Sequence, residues 1–175
     1  MAHQLWTIGH STHSLEEFVG LLSRHEIRLV CDVRTVPKSR RYPHFFADAL
    51  AESLPEYGVD YRHLAGLGGW RHAQPDSPNG AWRNASFRGY ADYALSAEFA
   101  DALLELCELA MRGRTAVMCS EALWWRCHRR LIADRLLTAG WEVCHIGSDG
   151  RSNPHELADF AVVRSDGMVV YPGAA

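Results

Sequence analysis

Apolar positions along the chain fall into short runs separated by stretches of helical periodicity. Leu5-Trp6-Thr7-Ile8 is a β-prone run that ends at Gly9-His10-Ser11. Ser14 and Glu17 have the spacing of a capping box, and Phe18, Leu21 and Leu22 give the helix that follows an apolar face. Ile27 to Val33 is an apolar run closed by a charge, the pattern of a strand covered on both faces. A helical pattern over Ala47 to Tyr57 is broken by Pro55 and stopped by Gly58, and Val59 to Leu64 reads as a third strand. Residues 65 to 86 break every regular pattern, with Gly66, Gly68, Gly69, Pro75, Pro78 and Gly80 interleaved with Trp70, Arg71, His72, Trp82 and Arg83. Helix resumes at Phe87, and Ser96 caps a longer helix over Ala97 to Arg112. Thr115 to Cys119 is a buried-type strand, Cys127 to Leu137 a helix stopped by Gly140, and Trp141 to Ile146 a strand. Phe160 to Val163 and Met168 to Tyr171, joined through Ser165-Asp166-Gly167, predict a terminal hairpin.

Strands alternating with helices predict one α/β domain over residues 1–175: three layers, a mostly parallel sheet of about five strands with right-handed crossovers, and a C-terminal hairpin. A rhodanese-like arrangement is compatible with that order. Ligands in such sheets bind beyond the carboxyl ends of the strands. His10-Ser11 follows the first strand, Asp32 and Arg34 end the second, and Cys119-Ser120-Glu121 follows the fourth. If those strands are neighbours, their tips converge on one cleft.

Composition changes this picture little. The chain has 175 residues, a net charge of -3 and 47% hydrophobic residues, as an ordinary globular domain has. No apolar run approaches a membrane span, and the N-terminus lacks the form of a secretory signal, so a cytoplasmic protein is expected. Lys38 is the only lysine among 18 basic side chains. Coding bias accounts for that total, but not for where the arginines cluster. The five cysteines include no CxxC pair, which speaks against a disulfide framework. Cys31, Cys107 and Cys144 sit in apolar surroundings and read as small buried hydrophobes. Cys119 and Cys127 do not.

The segment from Cys119 to Arg130 carries the most chemistry. A cysteine at a strand end, followed by a loop and a helix, meets backbone N–H groups and a helix dipole that favour thiolate. Arg126, His128 and Arg129 add to that field. Rhodanese and cysteine-phosphatase sites are similar in plan, although their loops place one residue fewer between Cys and Arg than the six here. A zinc reading uses Cys119, Cys127 and His128, with His10 or His145, but C-x7-C-H is no standard zinc spacing. A purely structural reading packs Trp124 and Trp125 on the sheet and leaves the arginines in water.

Lys38-Ser39-Arg40-Arg41 after the second strand has the composition of a phosphate- or carboxylate-binding lip. Together with Trp70, Arg71, His72, Trp82 and Arg83 it suits a nucleotide or a nucleic-acid single strand.

Several motifs recur in order: Thr7-Ile8-Gly9-His10-Ser11, Asp32-Val33-Arg34 with Pro37, Ser39 and Arg40, Gly89-Tyr90-Ala91-Asp92-Tyr93, Cys119 with Cys127-His128-Arg129, and Pro154-His155-Glu156-Leu157. Over nearly its whole length the chain resembles the domain of unknown function 488 family. The resemblance implies a compact cytosolic α/β protein of bacteria or archaea, and no particular reaction. Trp124-Trp125 departs from the smaller or more polar residues expected there. The leading expectation is an enzyme or ligand-binding domain with an anion-binding, cysteine-containing cleft. Cys119 would be the nucleophile or redox thiol, His10 or His128 the proton carrier, and Glu121 either catalytic or a holder of Arg34. Ser11, Asp32, Arg34, Ser39, Arg40 and Arg129 would bind a small anion or nucleotide. The alternatives are a nucleic-acid module using the Arg/Trp loops and a metal-binding protein.

Overall fold

In the computed structural model, which describes residues 2–174, a six-stranded sheet divides the core into two halves. The strands are β1 (Gln4–Gly9), β2 (Leu29–Asp32), β3 (Asp60–His63), β4 (Thr115–Cys119), β5 (Glu142–Ile146) and β6 (Ser152–Pro154), in the order β3-β2-β4-β1-β5-β6. All pair in parallel except β6, which runs antiparallel to β5 at the edge. The expected sheet of about five strands is therefore present with one added edge. The terminal hairpin is a separate pair, β7 (Val162–Val163) and β8 (Val169–Val170).

Alternation along the strands sorts the side chains. Trp6, Ile8, Val30, Ala116 and Met118 face α1 (Leu15–Arg24) and α2 (Ala47–Ser53). Leu5, Cys31, Val117, Cys119 and Val143 face α3 (Ala85–Tyr93), α4 (Ala97–Ala110) and α5 (Arg129–Thr138). Ser14 and Glu17 form the reciprocal capping box at α1. The helical pattern up to Tyr57 continues past α2 as a tighter turn over Leu54–Tyr57, and Gly58 ends it in the left-handed conformation with φ 77°.

The glycine- and proline-rich stretch contains one short turn, Ala65–Leu67, and is otherwise without helix or strand up to Asn84. Asp92 of α3 ties it down by accepting from the Gln74 N–H, the Ser77 hydroxyl and the Asn79 amide. Trp82 and Trp70 have opposite fates. Trp82 is buried and stacks on Phe87, whereas Trp70 is 77% exposed with a left-handed backbone at φ 51°. Cys31 is buried as expected, but Cys107 and Cys144 are only half-buried, because each lies near the edge of its apolar cluster.

Chain direction sets where a ligand can sit. β1 and β4 are adjacent and parallel, yet β1 leads to α1 on one face and β4 to α5 on the other. Connections that leave neighbouring strands for opposite faces open a crevice beyond their carboxyl ends.

Candidate functional site

A cavity of about 830 Å³ occupies that crevice, a size typical of small-molecule sites. His10, Ser11 and Thr12 line it from the end of β1, residues between Arg34 and Tyr42 other than Pro37 and Arg40 from the end of β2, and Cys119 to Ala122 from the end of β4. The strand pairing runs on into the site: the His10 N–H donates to the Cys119 carbonyl at 2.9 Å and the Ser11 N–H to the Ser120 carbonyl at 3.0 Å. Ser11 then turns away in the left-handed region at φ 47°.

Cys119 ends β4 and is only 2% exposed. Its Sγ lies 3.5 Å from the Glu121 carbonyl, an acceptor for its S–H. The chain then passes through a tight turn at Trp124–Arg126 and brings Cys127 back beside it in an extended conformation. Cys127 thus precedes the helix, and α5 starts at Arg129 instead of at Cys127. The Cys127 sulfur lies 3.5 Å from His128 Nδ1, and it accepts the Arg129 backbone N–H at 3.5 Å. His128 Nε2 donates to the Val33 carbonyl at 2.9 Å. A carbonyl only accepts, so the proton sits on Nε2 and the Nδ1 lone pair faces the Cys127 thiol.

Arg129 is fully buried at 0% exposure. One of its terminal nitrogens, Nη2, donates to the Glu121 and Ala122 carbonyls at 3.0 Å each, while Nε and Nη1 have no partner among the described residues. Among the described residues it forms no ion pair. Burial alone would raise the Cys119 thiol pKa. The hydrogen bond from Cys127, the Arg129 charge and the Glu121 backbone outweigh it, leaving Cys119 below the ordinary thiol value. Burial and the neighbouring Cys119 sulfur push Cys127 well above it.

Arg34 is held elsewhere than at Glu121. Its Nε and Nη2 clamp both oxygens of Asp32 at 2.9 and 2.7 Å, and Nη2 also donates to the Phe45 carbonyl. The Tyr61 hydroxyl donates to the same carboxylate. Glu121 instead accepts the Leu123 N–H within its own loop. Asp32 stands at the strand end two residues before Arg34, where a bidentate fork needs no long reach. Arg34 Nη1 still reaches His10 Nε2 at 3.3 Å. His10 donates Nδ1–H to the Ser11 carbonyl and stacks on Phe45. Burial, with Arg34 adding, lowers its pKa to about 4, and burial likewise lowers His128 to about 4.

Of the residues singled out from sequence, His10, Ser11, Arg34, Ser39, Cys119, Glu121, Cys127 and His128 line the cavity. Asp32 and Arg129 lie behind its wall, and Arg40 points into solvent while Lys38 and Arg41 line the mouth with Arg126. Among the described residues no three His, Cys, Asp or Glu side chains are grouped to hold a metal. Sequence reasoning missed Tyr61 as the second holder of Asp32. It also missed a buried chain that runs from the Thr7 hydroxyl through His145, His155 and Asp134 to the Tyr171 hydroxyl. Trp124 stacks on His145, with ring centroids 4.2 Å apart, which anchors the loop between the two cysteines. Nothing local marks this network, because its members come from β1, β5, α5 and the tail.

No helix among the described residues is long and apolar enough to cross a membrane. Comparison with curated proteins and with solved structures finds no match. The model of one protein family, described as Domain of unknown function DUF488, matches residues 14–136, from the cap of α1 into α5, and so spans Arg34, Cys119, Cys127, His128 and Arg129; the chain belongs to that family.

Proposed function

We propose that this protein is a thiol-dependent enzyme acting on a small anionic ligand held in the cleft beyond β1, β2 and β4. Cys119 is the nucleophile. The observation that carries this reading is the buried Arg129 guanidinium, which among the described residues has two unpartnered nitrogens and no carboxylate in contact. A guanidinium is permanently charged, and sealing one from water without a counter-charge costs several kcal/mol. A Cys119 thiolate supplies that counter-charge. Lys38, Arg41 and Arg126 at the mouth draw in the anion, against Glu121 alone among the acidic residues of the lining. His10, neutral at pH 7, lines the same cleft from the neighbouring strand end as the proton carrier for the ligand.

The test is iodoacetamide labelling of Cys119 as a function of pH. The half-point is expected below the free-thiol value of about 8.5, and Arg129→Met should move it upward and slow labelling at pH 7. A Cys119 that is inert, or that titrates at or above the free value, removes the thiol mechanism.

A second reading, binding of a nucleotide or nucleic-acid strand, is favoured by Trp70, which is 77% exposed on the cavity lining beside the basic mouth. Exposed indole next to guanidinium groups is how single strands are held by stacking and charge. A labelled oligonucleotide should then bind with an affinity that falls steeply with salt and with Trp70→Ala; no binding at low salt removes this reading.

A further inference from the structure

The role of Cys127 follows from its place in the cavity beside Cys119 and from two contacts that a nucleophile alone would not require. Its sulfur lies 3.5 Å from the His128 Nδ1 lone pair, and Cys127 and Cys119 line the same cavity. His128 is fixed in the tautomer that accepts a proton there, because its other nitrogen is committed to the Val33 carbonyl. The backbone N–H of Arg129 also points at the Cys127 sulfur, where it would stabilise a transient thiolate.

We propose that Cys127 is the resolving thiol of a thiol–disulfide exchange, in which Cys119 attacks a small anionic disulfide and His128 takes up the Cys127 proton. This rests on the reading of Cys119 as the reactive thiol and names its substrate class. In the first step the Cys119 thiolate attacks one sulfur of R–S–S–R. The substrate S–S bond breaks, a mixed disulfide forms at Cys119, and RS⁻ leaves and is protonated by water. In the second step Cys127 passes its proton to His128 Nδ1 and its sulfur attacks Cys119. The Cys119–Cys127 bond forms, and the second RS⁻ departs with the proton from His128. Two electrons pass from the protein dithiol to the substrate, which ends as two RSH. Rates of such exchange depend on the thiolate fraction of the attacking sulfur and on its access. The basic mouth at Lys38, Arg41 and Arg126 selects a disulfide bearing carboxylates.

The full-length reduced protein, incubated with glutathione disulfide near neutral pH, quenched and alkylated, is mapped by peptide mass spectrometry. Wild type should yield the Cys119 peptide joined to the Cys127 peptide, with Cys31, Cys107 and Cys144 alkylated as internal controls. Cys127→Ser and Cys127→Ala should both stop at a glutathionylated Cys119, and His128→Gln should accumulate the same mixed disulfide before resolution. If Cys119 of the wild type is glutathionylated and stays so, the resolving role is overturned while the nucleophile reading stands. If Cys119 is modified by neither glutathione disulfide nor iodoacetamide, both fall. A bond from Cys127 to any other cysteine also overturns the proposal.

Discussion

At Gly9 the strand end and the cysteine loop come closer than any side chain allows. A methyl group built there would overlap the Glu121 carbonyl oxygen, and the Ala122 backbone lies just behind. That carbonyl receives the Cys119 thiol and one N–H of Arg129, so the space left open by Gly9 sets the path of the loop. Gly9→Ala must push backbone against backbone, which costs about 1–3 kcal/mol when a packed interior cannot yield. The expected outcome is a lower urea midpoint together with altered Cys119 labelling, since the displaced carbonyl carries both contacts. Unchanged stability and labelling would mean that the loop yields freely and that the site is looser than its hydrogen bonds indicate. Gly89 has a similar duty, meeting the Arg71 backbone where the irregular stretch crosses α3.

Elements differ in how openly the sequence announces them. Ser14→Ala is expected to cost about 1 kcal/mol, because it removes the hydroxyl that accepts the Glu17 N–H and opens the reciprocal cap of α1. Chemical denaturation checks this, and a loss near zero would mean that packing of Phe18 and Leu22 alone fixes the helix start. That cap and the strands ending at Asp32 and Cys119 were legible, because each depends on local spacing or an uninterrupted apolar run; the meeting of His10, Arg34 and Cys119 was legible only on the condition that their strands are neighbours, which the order β2-β4-β1 meets. β6 was not: Ser152–Pro154 is exposed and has no alternation, and it forms only because the free edge of β5 offers backbone partners. The start of α5 was misread because Cys127 to Leu137 keeps a helical apolar pattern, while the turn at Trp124–Arg126 leaves Cys127 extended. Asn84 caps α3 from within the irregular stretch, so the helix begins at Ala85, earlier than its first large apolar residue. The choice of Asp32 over Glu121 as the partner of Arg34 rests on strand geometry, and both were open on composition alone. Strand order, with β1 between β4 and β5, depends on contacts that no short window contains.

For the whole molecule, one consequence of building the site beneath a sealed core is a dependence of stability on pH that carboxylates cannot produce. His10 and His128 have pKa values lowered to about 4 and His145 to about 2, in each case chiefly by burial. In the unfolded chain each returns to about 6.5. The native state therefore binds fewer protons than the unfolded state once the pH drops below that value, so stability falls as the pH falls. The stabilisation from keeping these rings neutral is fully present above about pH 6.5 and is lost progressively toward the folded values. The slope is at most about 1.4 kcal/mol per pH unit for each ring. Below about pH 4 His10 and His128 add nothing further, and only His145 continues to contribute. Ordinary carboxylates titrate near 4 in the unfolded chain, so the interval from pH 6.5 to pH 5 isolates the histidines. Urea midpoints measured across that interval should fall steadily. His145→Gln should remove about a third of that slope, because between pH 6.5 and 5 all three rings stay nearly unprotonated in the native state and contribute almost equally. A midpoint constant between pH 7 and pH 5 would show that these rings accept protons without leaving their places, and would open the packing around Val33, Phe45 and Trp124 to question.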